Sequence, residues 1–332
     1  PRLSHILLSS LRPVRYNKTI SRKNSMKTRV AIYGFDRLGR AIYHIASRRR
    51  DLEVVMVVTD DSAETLVASL MQDVVYATLE DQFEVADGGF RHQERHVHIR
   101  SVSAFELWKE HNIDIVIDAH TKMPSAQTVE AHQYAGVKRV VFGSVCPDVK
   151  TIVYGVNDAE LQVAESAISG GGAERAAVEP VFEMIDALCG REKSLITTVE
   201  GHVCSCQNSV CDTEHTSLHP ETSTDARLPA PKLVATLSEV VVYAKKTITT
   251  QDLIEGLQKL ASEPYYQGIV TTSIQPVDPE HVIGESASCV IDLSRTSVVD
   301  KKLISLKLWY DREWGYANRL VELTADFGKV KY

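Results

Sequence analysis

Residues 28–60 read TRVAIYGFDRLGRAIYHIASRRRDLEVVMVVTD, and this stretch decides the fold. TRVAIY (28–33) is a short apolar run rich in β-branched residues, the pattern of a strand buried on both faces. Gly34 opens a turn, and residues 37–49 carry apolar side chains at helical spacing. EVVMVVT (53–59) is a second apolar strand, ending at Asp60. Strand, glycine turn, helix and strand in about thirty residues form the opening of a doubly wound parallel sheet.

The same alternation continues outward. A helix is expected over 64–75, strands over 113–117 and 138–142, and a helix over 125–136 between those two strands. Short apolar strands alternating with helices predict a parallel sheet with both faces covered, a Rossmann domain. From residue 194 the texture changes: strands are expected at 194–203, 232–243, 267–274, 287–293 and 303–310, with helices only at about 179–189 and 249–262. That pattern predicts a mostly antiparallel sheet with helices on one face. A last helix is expected over 317–327. The fold class is therefore α/β, with a basic leader at 1–25, a Rossmann-like domain at 26–172 completed by 317–332, and an α+β domain at 173–316.

The 332 residues are 44% hydrophobic and 24% charged, an ordinary globular composition. No run of eighteen apolar residues is present, so a helical membrane span is not expected. Charge is unevenly placed: eight Lys and Arg precede Asp36 with no Asp or Glu among them, leaving 29 basic against 44 acidic residues. A basic, serine-containing, acid-free leader reads as a transit segment to the mitochondrial matrix, with a plastid, or no address at all, as the alternatives. Its charge suits an acidic protein surface or the phosphates of RNA. The acidic remainder argues against a broad phosphate-binding face. The six cysteines do not form the dense paired pattern of a small secreted scaffold, and a reducing compartment fits them.

Five blocks resemble glyceraldehyde-3-phosphate dehydrogenases, in family order and spacing: YGFDRLGRAIYHIA (33–46), AGVKRVVFGS (135–144), YGVN (154–157), LITTVEGH (195–202) and WYDREWGYANRLVEL (309–323). The resemblance implies a Rossmann domain that takes NAD, an α+β catalytic domain, a tetramer, and a last helix packed on the Rossmann domain. It also implies a Ser-Cys-Thr-Thr-Asn-Cys helix start after a strand ending in Ile-Ser. There the thiolate attacks the aldehyde and a neighbouring His lowers its pKa. Here that segment reads ISGGGAERAAVEP (168–180), so Ala173 stands at the nucleophile position. The His position is held by Glu200, whose charge would raise a nearby thiol's pKa rather than lower it. His202 lies two residues further on. No catalytic residue is expected.

The cofactor positions are altered too. The G-x-G-x-x-G turn reads Gly34-Phe35-Asp36-Arg37-Leu38-Gly39, with Asp36 where the middle glycine lets backbone approach a pyrophosphate. Like charges about 4 Å apart repel by about 1 kcal/mol in water and about 4 kcal/mol at an effective dielectric near 20. Arg37 offsets part of this. Asp60 matches the family's acidic residue for ribose hydroxyls, or caps the next loop. Arg312 replaces an Asn that serves the nicotinamide amide. Tyr316 is retained, as a site aromatic or a core residue. Gly34, Arg37, Leu38, Gly39, Asp60 and Tyr316 thus form a vestigial site: no cofactor is expected, with weak NAD binding left open. Arg227 matches a substrate-phosphate Arg. The span from Glu200 to Arg227 is shorter than the family's loop, which puts the usual homotetramer in doubt. His202, Cys204, Cys206, Cys211, His215 and His219 crowd that span. Cys204, Cys206, Cys211, His215 and His219 suit a structural zinc, against reduced cysteines in a polar loop as the alternative. The expected function is a catalytically inactive structural or interaction subunit of a large mitochondrial assembly, such as a mitoribosome or respiratory complex. The alternatives are an NAD(P)-dependent oxidoreductase with altered chemistry and an RNA-binding protein.

Overall fold

The computed structural model describes residues 27–72, 82–101, 108–120, 123–162, 165–201, 223–230 and 235–330, with backbone alone at 200, 201 and 223–230. The leader, residues 73–75 of the expected second helix, and the Cys/His cluster from His202 to His219 lie outside the described residues. The chain divides into two compact units. Of the described residues, the first holds those from Lys27 to Ala176 together with Ile283–Ser288 and those from Asp311 to Val330; the second holds those within Ala177–Val282 and Cys289–Tyr310.

The first unit opens with β1 (Thr28–Tyr33), α1 (Arg37–Ser47), β2 (Leu52–Val58) and α2 (Ala63–Gln72), close to the expected bounds. It continues with β3 (Phe83–Ala86), β4 (Gly89–His92), β5 (Arg95–Arg100), β6 (Ile115–Asp118), α3 (Ala126–Tyr134), β7 (Arg139–Phe142), β8 (Lys150–Thr151) and β9 (Ala167–Ser169). These strands form a nine-stranded sheet in the order β3-β4-β5-β2-β1-β6-β7-β9-β8. β1 pairs in parallel with both β2 and β6. Alternate side chains of its strands enter two separate cores. Val30, Ile32, Val57, Ile115 and Ile117 pack with Ala41 and Ile42 of α1 on one face. Ala31, Tyr33, Met56, Val116 and Phe142 pack with Trp108 on the other.

The antiparallel β3–β5 meander was not expected, because RHQERHVHIR (91–100) contains no apolar run. Single buried residues hold it instead. Phe83, Phe90 and Val97 join the core beside Tyr43, whose hydroxyl lies 2.9 Å from His92 Nδ1. β5 also adds in parallel to β2, with His98 opposite Met56. Both arrangements come from partners distant in sequence, so no local periodicity announces them.

α4 (Ala173–Leu188) crosses the division between the units and starts six positions before the expected residue 179. Proline favours the first turn of a helix, where the expected start put Pro180. Here Pro180 lies inside α4, with Ala177, Val178 and Val181 buried on either side of it. The second unit adds β10 (Arg191–Gly201), β11 (Ser223–Ala230), β12 (Thr236–Ala244), α5 (Thr250–Ala261), β13 (Val270–Ser273), β14 (Cys289–Asp292), β15 (Ser297–Val299) and β16 (Leu303–Tyr310). Its seven-stranded sheet runs β11-β10-β12-β16-β14-β13, with β15 on β16. The pairing is mostly antiparallel, as expected, with β10–β11 and β13–β14 parallel. β11 (STDARLPA) was not expected: it is polar, contains a proline, and depends on pairing to β10. α6 (Trp314–Lys329) closes the chain, and Tyr316, Ala317, Leu320, Val321 and Phe327 join the core of the first unit.

Candidate functional site

The strand order reverses between β2 and β6 on either side of β1, and in such sheets ligands bind at the carboxyl ends of those strands. The turn from β1 to α1 lies there. Gly34 has φ +89°, and its N–H donates to Val58 O at 3.0 Å. A side chain at Gly34 would meet the backbone of Ala119 and His120, and a Cβ at Gly39 would sit 2.3 Å from Gly34 O. Both outer glycines are therefore required by the backbone itself. Leu38 is half-buried and faces Gly143, where a Cβ would lie 3.4 Å from Leu38 Cδ2.

The middle position differs. Asp36 is the N-cap of α1, and its Oδ1 accepts from Gly39 N at 3.4 Å. No acidic residue follows in the first turn of α1, so Asp36 is the anion that answers the positive end of this helix. Arg37 Nε lies 3.6 Å from Glu313 Oε1. Burial pushes the Glu313 carboxyl above the usual carboxylate range, against the pull of Arg37 and Arg312. A dinucleotide pyrophosphate at such a turn uses the helix N–H groups and the open space above the middle glycine. Gly34 and Gly39 fit that use. Asp36 does not, because its carboxylate already accepts from the turn and would face the phosphates.

The remaining expected positions scatter. Asp60 is exposed just beyond β2 and accepts from Ser101 Oγ at 2.7 Å. Tyr316 is buried: its hydroxyl donates to Gly143 O at 2.7 Å and accepts from Gly172 N at 2.9 Å. Burial pushes its phenol well above the ordinary value. It works as a strut between two strand-end loops. Arg312 is half-buried beside Glu313 in the sequence.

Ala173 is half-buried as the first residue of α4, directly after Gly172 at φ +91°. Glu200 lies in β10, paired with Pro229 of β11, and Arg227 lies opposite Thr198 in the same ladder. Among the described residues the free cysteines are Cys146, Cys189 and Cys289, all buried. Burial pushes each thiol up, Cys289 to about 12, so none of them is a ready thiolate.

A buried pair that sequence reasoning missed lies at the same strand ends. Asp118, the last residue of β6, accepts the His120 N–H at 2.9 Å through Oδ1. Its Oδ2 is 3.3 Å from His132 Nε2, with both side chains nearly inaccessible. The His132 ring meets Tyr33 edge-on at 5.2 Å. Nothing in AQTVEAHQY (126–134) marks His132, since one His on a polar helix usually faces solvent. The available signal was Asp118 itself, an acid ending a central apolar strand.

Residues 28–126 match the family model described as glyceraldehyde 3-phosphate dehydrogenase, NAD binding domain. Over nearly the whole chain there are relatives at lower identity. Glyceraldehyde-3-phosphate dehydrogenase 2 of Bacillus subtilis (strain 168) is 27% identical over 331 residues, 90% of this chain and 96% of that protein. Glyceraldehyde-3-phosphate dehydrogenase of Thermotoga maritima is 26% identical over 327 residues, 89% of this chain and 97% of that protein. Glyceraldehyde-3-phosphate dehydrogenase 2 of Streptomyces avermitilis is 27% identical over 337 residues, 91% and 99% of the two chains. The parallel sheet with its glycine turn, the largely antiparallel second sheet and these full-length matches agree: the chain is similar to glyceraldehyde-3-phosphate dehydrogenases over nearly its whole length.

Proposed function

We propose that this chain does not oxidise glyceraldehyde 3-phosphate and serves as an interaction subunit of a larger assembly. The observation that carries the proposal is Ala173, which opens α4 where the family resemblance expects the attacking cysteine. A methyl group forms no thiohemiacetal. The buried, protonated thiols of Cys146, Cys189 and Cys289 supply no substitute. Fold alone does not carry activity; the reacting groups do. The test is NADH formation by the purified full chain with glyceraldehyde 3-phosphate and NAD in phosphate buffer. No rate above the buffer blank is expected. Turnover within the ordinary enzyme range, about 1 per second or more, overturns the proposal and favours the second reading, an NAD(P)-dependent oxidoreductase.

The acid-free, basic first 35 residues support a mitochondrial host assembly, held through protein or RNA contacts. Sedimentation of gently lysed mitochondria should place the chain in particles far above the roughly 150 kDa of four 36.9 kDa chains. Recovery as a free tetramer or smaller, or outside mitochondria, counts against the assembly role.

A further inference from the structure

We infer that Asp36 is an internal occupant of the phosphate-binding turn, and that this one side chain holds the affinity of the first unit for a nicotinamide dinucleotide low. The inference rests on the family fold and is independent of the loss of the nucleophile at Ala173. Three observations carry it. The backbone of the turn is kept: Gly34 holds φ +89°, and Gly39 leaves no room for a Cβ against Gly34 O. The turn falls inside residues 28–126, the stretch that matches the NAD binding domain. Within this preserved frame the Asp36 carboxylate accepts from Gly39 N, at the helix end a pyrophosphate would approach.

Asp36 therefore acts twice. It supplies the negative charge that the start of α1 attracts, which stabilises the ligand-free helix. It also places that charge and its own volume where a second anion would have to go. Arg37, the neighbouring cation, pairs with Glu313 at 3.6 Å, so its charge is shared with a second carboxylate. Asp60 remains at the end of β2, where the family's ribose contact is expected. Removing the Asp36 side chain leaves a turn with glycine at all three fingerprint positions.

The two roles make readouts move in opposite directions, which a purely structural cap would not do. Calorimetric titration of NAD into the full chain should show Asp36→Gly binding about tenfold to a thousandfold more tightly than wild type. Its thermal midpoint without ligand should fall slightly, since a glycine cap is nearly as good. Asp36→Asn keeps a capping oxygen and similar volume but lacks the charge, so its affinity should fall between the two. Thr249 caps α5 in the second unit, accepting from Asp252 N at 3.1 Å. Thr249→Gly, the matching cap-to-glycine change at a distant helix, should leave NAD affinity unchanged. The inference is overturned if wild type binds NAD as tightly as Asp36→Gly, if neither Asp36 variant binds at millimolar NAD, or if Thr249→Gly tightens binding as much. Should Asp36→Gly fail to fold, Asp36→Asn decides: affinity no better than wild type overturns the inference.

Discussion

Arg139→Leu should remove about 3 kcal/mol of stability from the first unit. Arg139 opens β7 and is buried, at 4% exposure, against the carboxyl end of α6. One guanidinium nitrogen donates to Phe327 O, and the other donates to Val330 O at 2.7 Å. The guanidinium carbon also lies 4.7 Å from the Phe327 ring centroid. The final carbonyls of a helix lack partners within it and carry partial negative charge, so a cation there both satisfies and neutralises them. Leucine fills most of the volume but leaves two carbonyls without their donor. Charge-assisted hydrogen bonds contribute about 1.5–3 kcal/mol each, from which the saved cost of burying a cation must be subtracted. Urea unfolding followed by circular dichroism gives the number, read on the transition of the unit that contains α6. Arg139→Lys should fall between, because one ammonium does not reproduce the fork. A loss below about 1 kcal/mol for Arg139→Leu would mean that water replaces the guanidinium, and that α6 does not depend on it.

Asp311→Ala should cost a similar amount, about 3 kcal/mol, at the other end of the same helix. Asp311 is buried at 3% exposure. Its Oδ1 accepts from Glu313 N at 3.0 Å and Trp314 N at 2.8 Å, and its Oδ2 accepts from Gly284 N at 2.9 Å. Alanine leaves three backbone donors without an acceptor in a place that excludes water, at about 1–3 kcal/mol for each that stays unsatisfied. Partial relaxation brings the sum down. Asp311→Asn should cost less, because the amide oxygen still serves one side of the arrangement. Hydrogen exchange localises the effect: the Trp314 and Gly284 amides should lose protection before those of β1. Unchanged protection at both amides would show that the carboxylate is not what holds them. The two variants together define how α6, last in the chain, is fastened into the core formed by its beginning.

The parallel sheet was legible in the sequence because its central strands are apolar runs buried on both faces. β1, β2, β6 and β7 need no knowledge of their neighbours to be recognised. The glycine turn was legible for a related reason, since the positive φ of Gly34 and the close approach of Gly39 to Gly34 O both arise within six residues. The order of the resembling blocks likewise carried the resemblance to glyceraldehyde-3-phosphate dehydrogenases, from which Ala173 and Glu200 are expected at the reacting positions. What the sequence alone could not decide depends on residues far apart along the chain. β3–β5 and β11 are polar stretches that become strands only because a neighbour offers a free edge. Tyr316 reads equally as a site aromatic or a core residue until its hydroxyl is seen between Gly143 and Gly172. Asp118 and His132, fourteen residues apart, become a buried pair only when β6 and α3 bring them together. Asp36 lies between these cases: its charge was plain from the sequence, but its position on the Gly39 amide at the start of α1 is a property of the folded turn. Local patterning determined which segments fold and in what class, because burial and backbone sterics act over a few residues. Tertiary structure decided what each polar side chain does, because a hydrogen-bond partner is chosen by proximity in space.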